Sequence, residues 1–256
     1  MPAGDGVGLE AAVHPARARG ARGVVVQVHG INANMTEGGM FVRLAERLAD
    51  ADFTVLRFSF RGHGGSEGTQ RGATIAGELL DLQAVVEYVA DRFSAPLSIV
   101  ASSFGAVSVS LSLPWLGDRL DRLVLWNPVL DLQRTFVEPE LPWGKENFSA
   151  DQQNLLSTQG FLMIGDEFEV GRVLFEEFHH YEPLKYLSAS AVPTLVVHGD
   201  QDSAISYEIA RQAAAAKPNT DFHTVCGSDH GFDTREREDE AVAVTVEWLV
   251  SDREEA

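Results

Sequence analysis

The sequence predicts an α/β protein with a mostly parallel central sheet covered by helices on both faces. Three observations predict it. Short β-branched runs alternate with longer segments of helical periodicity, the pattern of strands joined by crossover helices. The residues of chemical interest follow strand ends, where open parallel sheets hold their ligands. A single stretch of roughly sixty residues breaks this alternation, and it is rich in aromatic side chains.

The elements follow in order. Gly23 to Gly30 carries Val24, Val25, Val26 and Val28 and ends in glycine, as a buried strand does. Residues 37–51 place Phe41, Leu44, Ala45 and Leu48 at helical spacing. Phe53–Phe58 reads as a strand, 72–92 as a long amphipathic helix, Leu97–Ala101 as a strand and Phe104–Leu113 as the helix after it. Leu123–Trp126 and Thr194–His198 continue the sheet. Helix 205–216, strand Phe222–Val225 and a last helix over 236–251 complete it. Residues 1–130 and 188–256 therefore form the expected core, and 131–187 an inserted cap over the strand ends. Within the cap, 160–165 reads as a short strand and Val170–Phe178 as a helix.

The 256 residues suit one domain of this kind. The formal charge of −18, from 20 basic and 38 acidic side chains, repels phosphate backbones and anionic lipid heads. Nucleic acid and membrane surfaces are excluded as expected partners. No apolar run reaches the length of a membrane-spanning helix, and no leader pattern is visible at the start. A lone cysteine, Cys226, rules out an internal disulfide; with no leader expected, this points to the cytoplasm. Its expected role is packing.

Ala101-Ser102-Ser103-Phe104-Gly105 sits between a strand and a helix, the context of the G-x-S-x-G nucleophile elbow with alanine in the first glycine place. A nucleophile held in a strained turn needs small residues two places to either side. Ser103 has Ala101 and Gly105 there, whereas Ser102 would have Val100 and Phe104. Ser103 is therefore the candidate nucleophile. Downstream, Asp200 and Asp202 follow a strand, and His230 lies in a glycine-bearing loop after the next one. The order Ser, Asp, His is the one this elbow uses. Order alone leaves both aspartates open as the acid. The oxyanion donors are expected to be the backbone N–H of Phe104, next to the nucleophile, and that of Ile31 in the loop after the first long strand. His29 is expected to hold that loop. Glycine-rich Phe58 to Gly68 fits no phosphate-binding spacing and is read as a scaffold turn with His63 bonded inside it. His179-His180 lacks a partner set for a metal, and no cofactor or metal is expected.

With these residues in place, the chain resembles the α/β-hydrolase superfamily over nearly its whole length. It is most similar to bacterial feruloyl/cinnamoyl esterases and serine-aminopeptidase-like (S33-type) hydrolases. The resemblance is carried by His29-Gly30-Ile31-Asn32-Ala33-Asn34, by Phe58 to Gly68, and by His198-Gly199-Asp200-Gln201-Asp202. It implies Asp202 as the acid of a Ser103–His230–Asp202 triad. It also implies that the segment around Gly160 to Gly165 is a lid lining an acyl pocket, with Phe161, Met163 and Trp143 as pocket residues. The expected activity is hydrolysis of a small-molecule ester with a small or aromatic acyl group. The elbow departs from the usual G-H-S-x-G of those esterases. Asn127-Pro128-Val129-Leu130-Asp131 is similar to a segment of acyl-carrier thioesterases. An acyl-thioesterase or acyltransferase is therefore the alternative, and a non-catalytic ligand-binding homologue a distant third. A homodimer is compatible with the sequence.

Overall fold

The structure, a computed structural model, describes residues 1–18, 20–165 and 167–251. Its first half runs β1 (Ala11–His14), β2 (Gly23–Val28), α1 (Met40–Asp50), β3 (Phe53–Phe58), α2 (Ile75–Arg92), β4 (Leu97–Ser102), α3 (Gly105–Leu116) and β5 (Leu120–Trp126). An inserted segment follows, with α4 (Pro142–Asn147), α5 (Ala150–Gln159), β6 (Phe161–Ile164), β7 (Phe168–Gly171), α6 (Arg172–Glu177) and α7 (Pro183–Ala189). The chain ends on β8 (Thr194–Gly199), α8 (Tyr207–Ala216), β9 (Thr220–Val225) and α9 (Arg235–Val250).

Among the described residues, seven strands form one sheet in the order β1-β3-β2-β4-β5-β8-β9. All neighbours are parallel except β1, which pairs antiparallel with β3 at the edge. Parallel strands covered on both faces lose all contact with water, which is why β2, β3, β4 and β8 are buried at every residue. Alternate side chains feed two cores. Val24, Val26, Val28, Ile99 and Leu123 meet Leu82, Val85 and Val86 of α2 and Val109 of α3. Val25, Val100, Val124 and Trp126 meet Phe41, Leu44 and Leu48 of α1 and Val242 and Leu249 of α9. Trp126 donates its indole N–H to Thr245 Oγ1 at 2.9 Å, so its burial leaves no donor unpaired.

The helices start where side chains cap them. Thr74, Ser206 and Thr234 accept from the first-turn N–H groups of α2, α8 and α9. Helix α1 begins at Met40 and not at 37, because Glu37, Gly38 and Gly39 all have positive φ.

A third apolar cluster lies over the strand ends. Ile31, Phe104 and Val129 of the core pack with Phe136, Phe148, Leu162, Phe168 and Phe178 of the inserted segment. Strands β6 and β7 pair antiparallel as a separate two-stranded sheet. The expected helix over Val170–Phe178 is corrected: Phe168–Gly171 is a strand and only Arg172–Glu177 is helical. The hairpin carboxylate Glu169 binds Arg71, and Glu177 accepts from the N–H of Ile75, so inserted segment and core are joined by charge. Among the described residues no helix is long and apolar enough to cross a membrane.

Buried Glu78 of α2 accepts from Ser108 Oγ at 2.7 Å. Burial, seconded by the charges of Asp81 and Glu177, lifts its carboxyl to about 8. A folded value above the unfolded one adds stability that is complete below about 4.5 and lost as pH rises toward about 8. Glu78→Gln keeps the shape without the ionisation. Its melting temperature should match wild type near about pH 5 and exceed it by about 3 °C near about pH 8.5. Equal melting curves at both pH values would refute this.

Candidate active site

Four loops at the carboxyl ends of β2, β4, β8 and β9 converge. The β4–α3 turn puts Ser103 at φ +50°, a conformation a serine holds only when its surroundings enforce it. Gly105 is the enforcing contact. A Cβ there would stand 2.5 Å from the His29 carbonyl oxygen and 2.7 Å from that of Val28. Only glycine lets α3 begin so close to β2. Ala101 is fully buried, and the Ser102 hydroxyl donates to Glu37 Oε1 at 3.2 Å, whereas the Ser103 hydroxyl is the one that meets His230.

His230 Nε2 lies 3.1 Å from Ser103 Oγ, and His230 Nδ1 lies 2.8 Å from Asp202 Oδ2. An ionised Asp202 accepts only, so Nδ1 carries the proton and Nε2 is left to accept from the serine. The other oxygen, Oδ1, accepts from the N–H groups of Ala204 and Ile205 at 2.9 and 2.7 Å. His198 Nε2 adds a second imidazole on Oδ2 at 3.2 Å. Burial would raise this carboxyl, but the charges and hydrogen bonds of His230 and His198 hold it far below the ordinary range. Burial likewise disfavours a charged His230. Asp202, with Glu37 and Asp229, outweighs it and holds His230 above the ordinary histidine value.

Asp200, the other acidic candidate, does not reach His230. Its Oδ1 accepts from the Gly227 N–H at 2.6 Å and so ties the β8 loop to the β9 loop. Asp229 makes a second tie, accepting from the N–H groups of His230 and Ser203, each at 2.7 Å.

Among the described residues, neither the Ile31 nor the Phe104 N–H donates a hydrogen bond within the chain. The Ile31 loop is fixed from behind. His29 is buried and donates from Nδ1 to the Gly30 carbonyl, while Nε2 accepts from the Phe60 N–H at 2.9 Å. Burial and the neighbouring His63 bring its ring down to about 3, so it stays neutral. His63 sits between the carbonyls of Ile31, at 2.7 Å, and Arg61, at 2.9 Å, and stacks on Phe168 of the hairpin.

Glu37 is an unforeseen member of the site. Its Oε2 accepts from the Gly30 N–H at 3.0 Å and its Oε1 from Ser102. Burial lifts it to about 6 against the stabilising pull of both donors and of His230. Glu37 reads in the sequence as a solvated first-turn residue of a helix, and nothing there marks it.

The expected pocket residues are spread out. Trp143 packs edge-on against Phe136 and Phe148, in the cluster that Phe104 joins through Phe136 and Phe178. Phe161 lies under the Arg71 guanidinium at 3.7 Å, and Met163 is half-buried beside it in β6. Asn127, which suggested a thioesterase, accepts from the Gly199 N–H at 3.0 Å and fastens β5 to β8. Cys226 is exposed, which corrects the expectation that it packs. Among the described residues no three His, Cys, Asp or Glu side chains are grouped to hold a metal ion.

The sequence pattern described as serine aminopeptidase, S33, matches residues 19–156. No curated protein sequence matches the chain. Among solved structures, Est1E from Butyrivibrio proteoclasticus with ferulic acid bound is similar at 22% identity and a TM-score of 0.79, covering 96% of this chain and 98% of its own. A putative hydrolase from Agrobacterium vitis S4 reaches 0.79 at 19% identity, covering 98% and 96%. The esterase EaEST from Exiguobacterium antarcticum reaches 0.74 at 18% identity, covering 98% of each chain.

A His230 that must be neutral to accept the serine proton makes activity fall as pH drops through its raised value. The acid limb of kcat/KM should therefore lie above the ordinary histidine value of 6.5. Asp202→Asn should lower kcat by about 10⁴-fold, because the imidazole loses its tautomer and its counter-charge. A limb below the ordinary value, or an active Asn variant, would break this reading of the site.

Proposed function

Because the chain belongs to the serine aminopeptidase S33 family, whose members are α/β-hydrolases, we propose that it is a serine hydrolase cleaving esters of small or aromatic acids through an acyl-enzyme. The observation that carries this reading is the unbroken relay Ser103 Oγ, His230 Nε2, His230 Nδ1, Asp202 Oδ2, with contacts of 3.1 and 2.8 Å.

Each group has one task. Ser103 Oγ attacks the ester carbonyl carbon while its proton passes to His230 Nε2. The carbonyl oxygen becomes an alkoxide and accepts from the N–H groups of Ile31 and Phe104. As the intermediate collapses, Nε2 returns the proton to the leaving oxygen and the alcohol departs. Water then attacks the acyl-serine, giving its proton to Nε2; as the bond from the acyl carbon to Oγ breaks, Nε2 passes that proton to Oγ, and the acid leaves with Ser103 restored. Asp202 stays ionised and offsets the charge on the imidazole in both halves.

Two observations support an ester over a thioester. The Asn127 segment that suggested a carrier thioesterase has a scaffold task in joining β5 to β8. A chain of net charge −18 repels an acidic carrier protein or a coenzyme A phosphate. Phe104, Phe136 and Phe178 pack on one another next to the elbow, and an apolar surrounding of that kind favours an apolar acyl group; the ferulic acid bound in the similar structure is a flat aromatic acid. The lone cysteine fits action in the cytoplasm.

The test is steady-state turnover of p-nitrophenyl acetate, methyl ferulate and acetyl-coenzyme A by wild type and Ser103→Ala. An ester should be the fastest substrate, and the alanine variant should lose at least about 10³-fold. Faster thioester turnover would favour the thioesterase. Near-normal turnover by the alanine variant would exclude a serine mechanism.

A further inference from the structure

Glu37 takes no part in the relay, yet it touches both sides of the site. The carboxylate grips the Gly30 N–H at 3.0 Å, next to Ile31, and the Ser102 hydroxyl at 3.2 Å, next to Ser103. These residues lie on different strand ends, β2 and β4, and each adjoins the segment that supplies one oxyanion donor. The two segments are in close contact: a Cβ on Gly30 would stand 3.2 Å from the Ser103 Cβ. The chain bends unusually to deliver this carboxylate. Glu37 is a non-glycine residue at φ +45°, followed by Gly38 at +61° and Gly39 at +95°. A strained turn that returns an acid to the interior fits a functional constraint better than a helix start.

We propose that Glu37 is a positioning residue: its carboxylate clasps the two halves of the oxyanion hole together and presents a second negative charge to the His230 imidazolium formed during the reaction. This rests on Ser103 being the nucleophile and Ile31 and Phe104 the oxyanion donors. Ionised, Glu37 makes a charge-assisted bond to Gly30 that fixes the adjoining peptide. A Cβ on Gly30 would stand 3.6 Å from Glu37 Oε1 and 3.7 Å from Ser103 Oγ, and His230 Nε2 lies 3.1 Å from that Oγ, so the Glu37 charge is close enough to stabilise the imidazolium alongside Asp202 and Asp229. Of the two arginines on α1, Arg43 in the first turn pairs with Glu238 and Asp239 of α9, and Arg47 lies in the last turn, away from Glu37.

An alkyl fluorophosphonate reads this without a known substrate. Ser103 Oγ bonds to phosphorus, the P–F bond breaks, fluoride leaves, and the serine proton goes to His230. The labelling rate at Ser103 is measured against pH for wild type, Glu37→Gln and Ser102→Ala, with thermal melts alongside. Glu37→Gln keeps the side-chain shape but not the charge. It should label about 10-fold more slowly, with its acid limb about half a unit lower. Ser102→Ala keeps the charge and removes one anchor. It should slow labelling by about 3-fold and leave the acid limb in place. A purely structural role for Glu37 would lower the melting temperature without moving the limb, which would overturn the proposal. A Glu37→Gln variant with wild-type rate and limb would overturn it too, while leaving Ser103 as the nucleophile. If Glu37→Gln does not fold, a wild-type rate in Ser102→Ala overturns it. Absence of label at Ser103 in wild type would remove the nucleophile itself, and the proposal with it.

Discussion

The rest of the site depends on the contact of Gly105 with β2. Helix α3 begins so near that strand that a methyl group at 105 would lie within 2.7 Å of two backbone oxygens. Such closeness forces a sharp turn, and the turn holds Ser103 at positive φ with its hydroxyl lifted toward the strand ends. The same turn sets Ser103 against the loop that carries Ile31, where a Cβ on Gly30 would stand 3.2 Å from the Ser103 Cβ. The place of Ser103, and of the turn it shares with Phe104, thus follows from one packing distance rather than from separate devices.

Around that fixed point the polar groups lock loops to one another. Asp200 and Asp229 join the β8 and β9 loops, and Asn127 joins β5 to β8. His29 and His63, both buried, hold the Ile31 loop to the Phe60–His63 turn. The inserted segment adds an apolar layer, with Phe168 on His63 and Phe136 and Phe178 on Phe104. Rigid donors in a partly dry setting stabilise developing charge far better than mobile ones in water. The carboxylates of Asp202, Glu37 and Asp229 together favour the charged form of the His230 imidazole.

Much of this was legible in the sequence, for physical reasons. Buried parallel strands must be continuous apolar runs, so β2, β3, β4 and β8 stood out. The elbow must have small flanking residues, which selected Ser103 over Ser102. The chain order of acid and base then pointed to the β8 and β9 loops. The misses also have causes. Strand β1 is four residues at an edge, partly exposed and with a single β-branched side chain, Val13, too short to signal itself. The hairpin strand β7 runs directly into helix α6 at Gly171, and that glycine marks the break through its contact with the Arg71 backbone, which the sequence does not display. Glu37 bonds Gly30 seven residues back and Ser102 on a distant strand, and His198 bonds Asp202 four residues on across a loop; none of these pairs shares a strand or helix whose period would reveal it.

The most direct test of Ser103 as the acylated residue is rapid-quench trapping during turnover of a p-nitrophenyl ester. Acid quench in the first turnover, followed by digestion and mass spectrometry, should find one acyl group per chain on the peptide containing Ser103, formed in step with a burst of p-nitrophenol. Acyl label on Ser102 or Cys226, or full turnover with no acylated peptide at all, would contradict it.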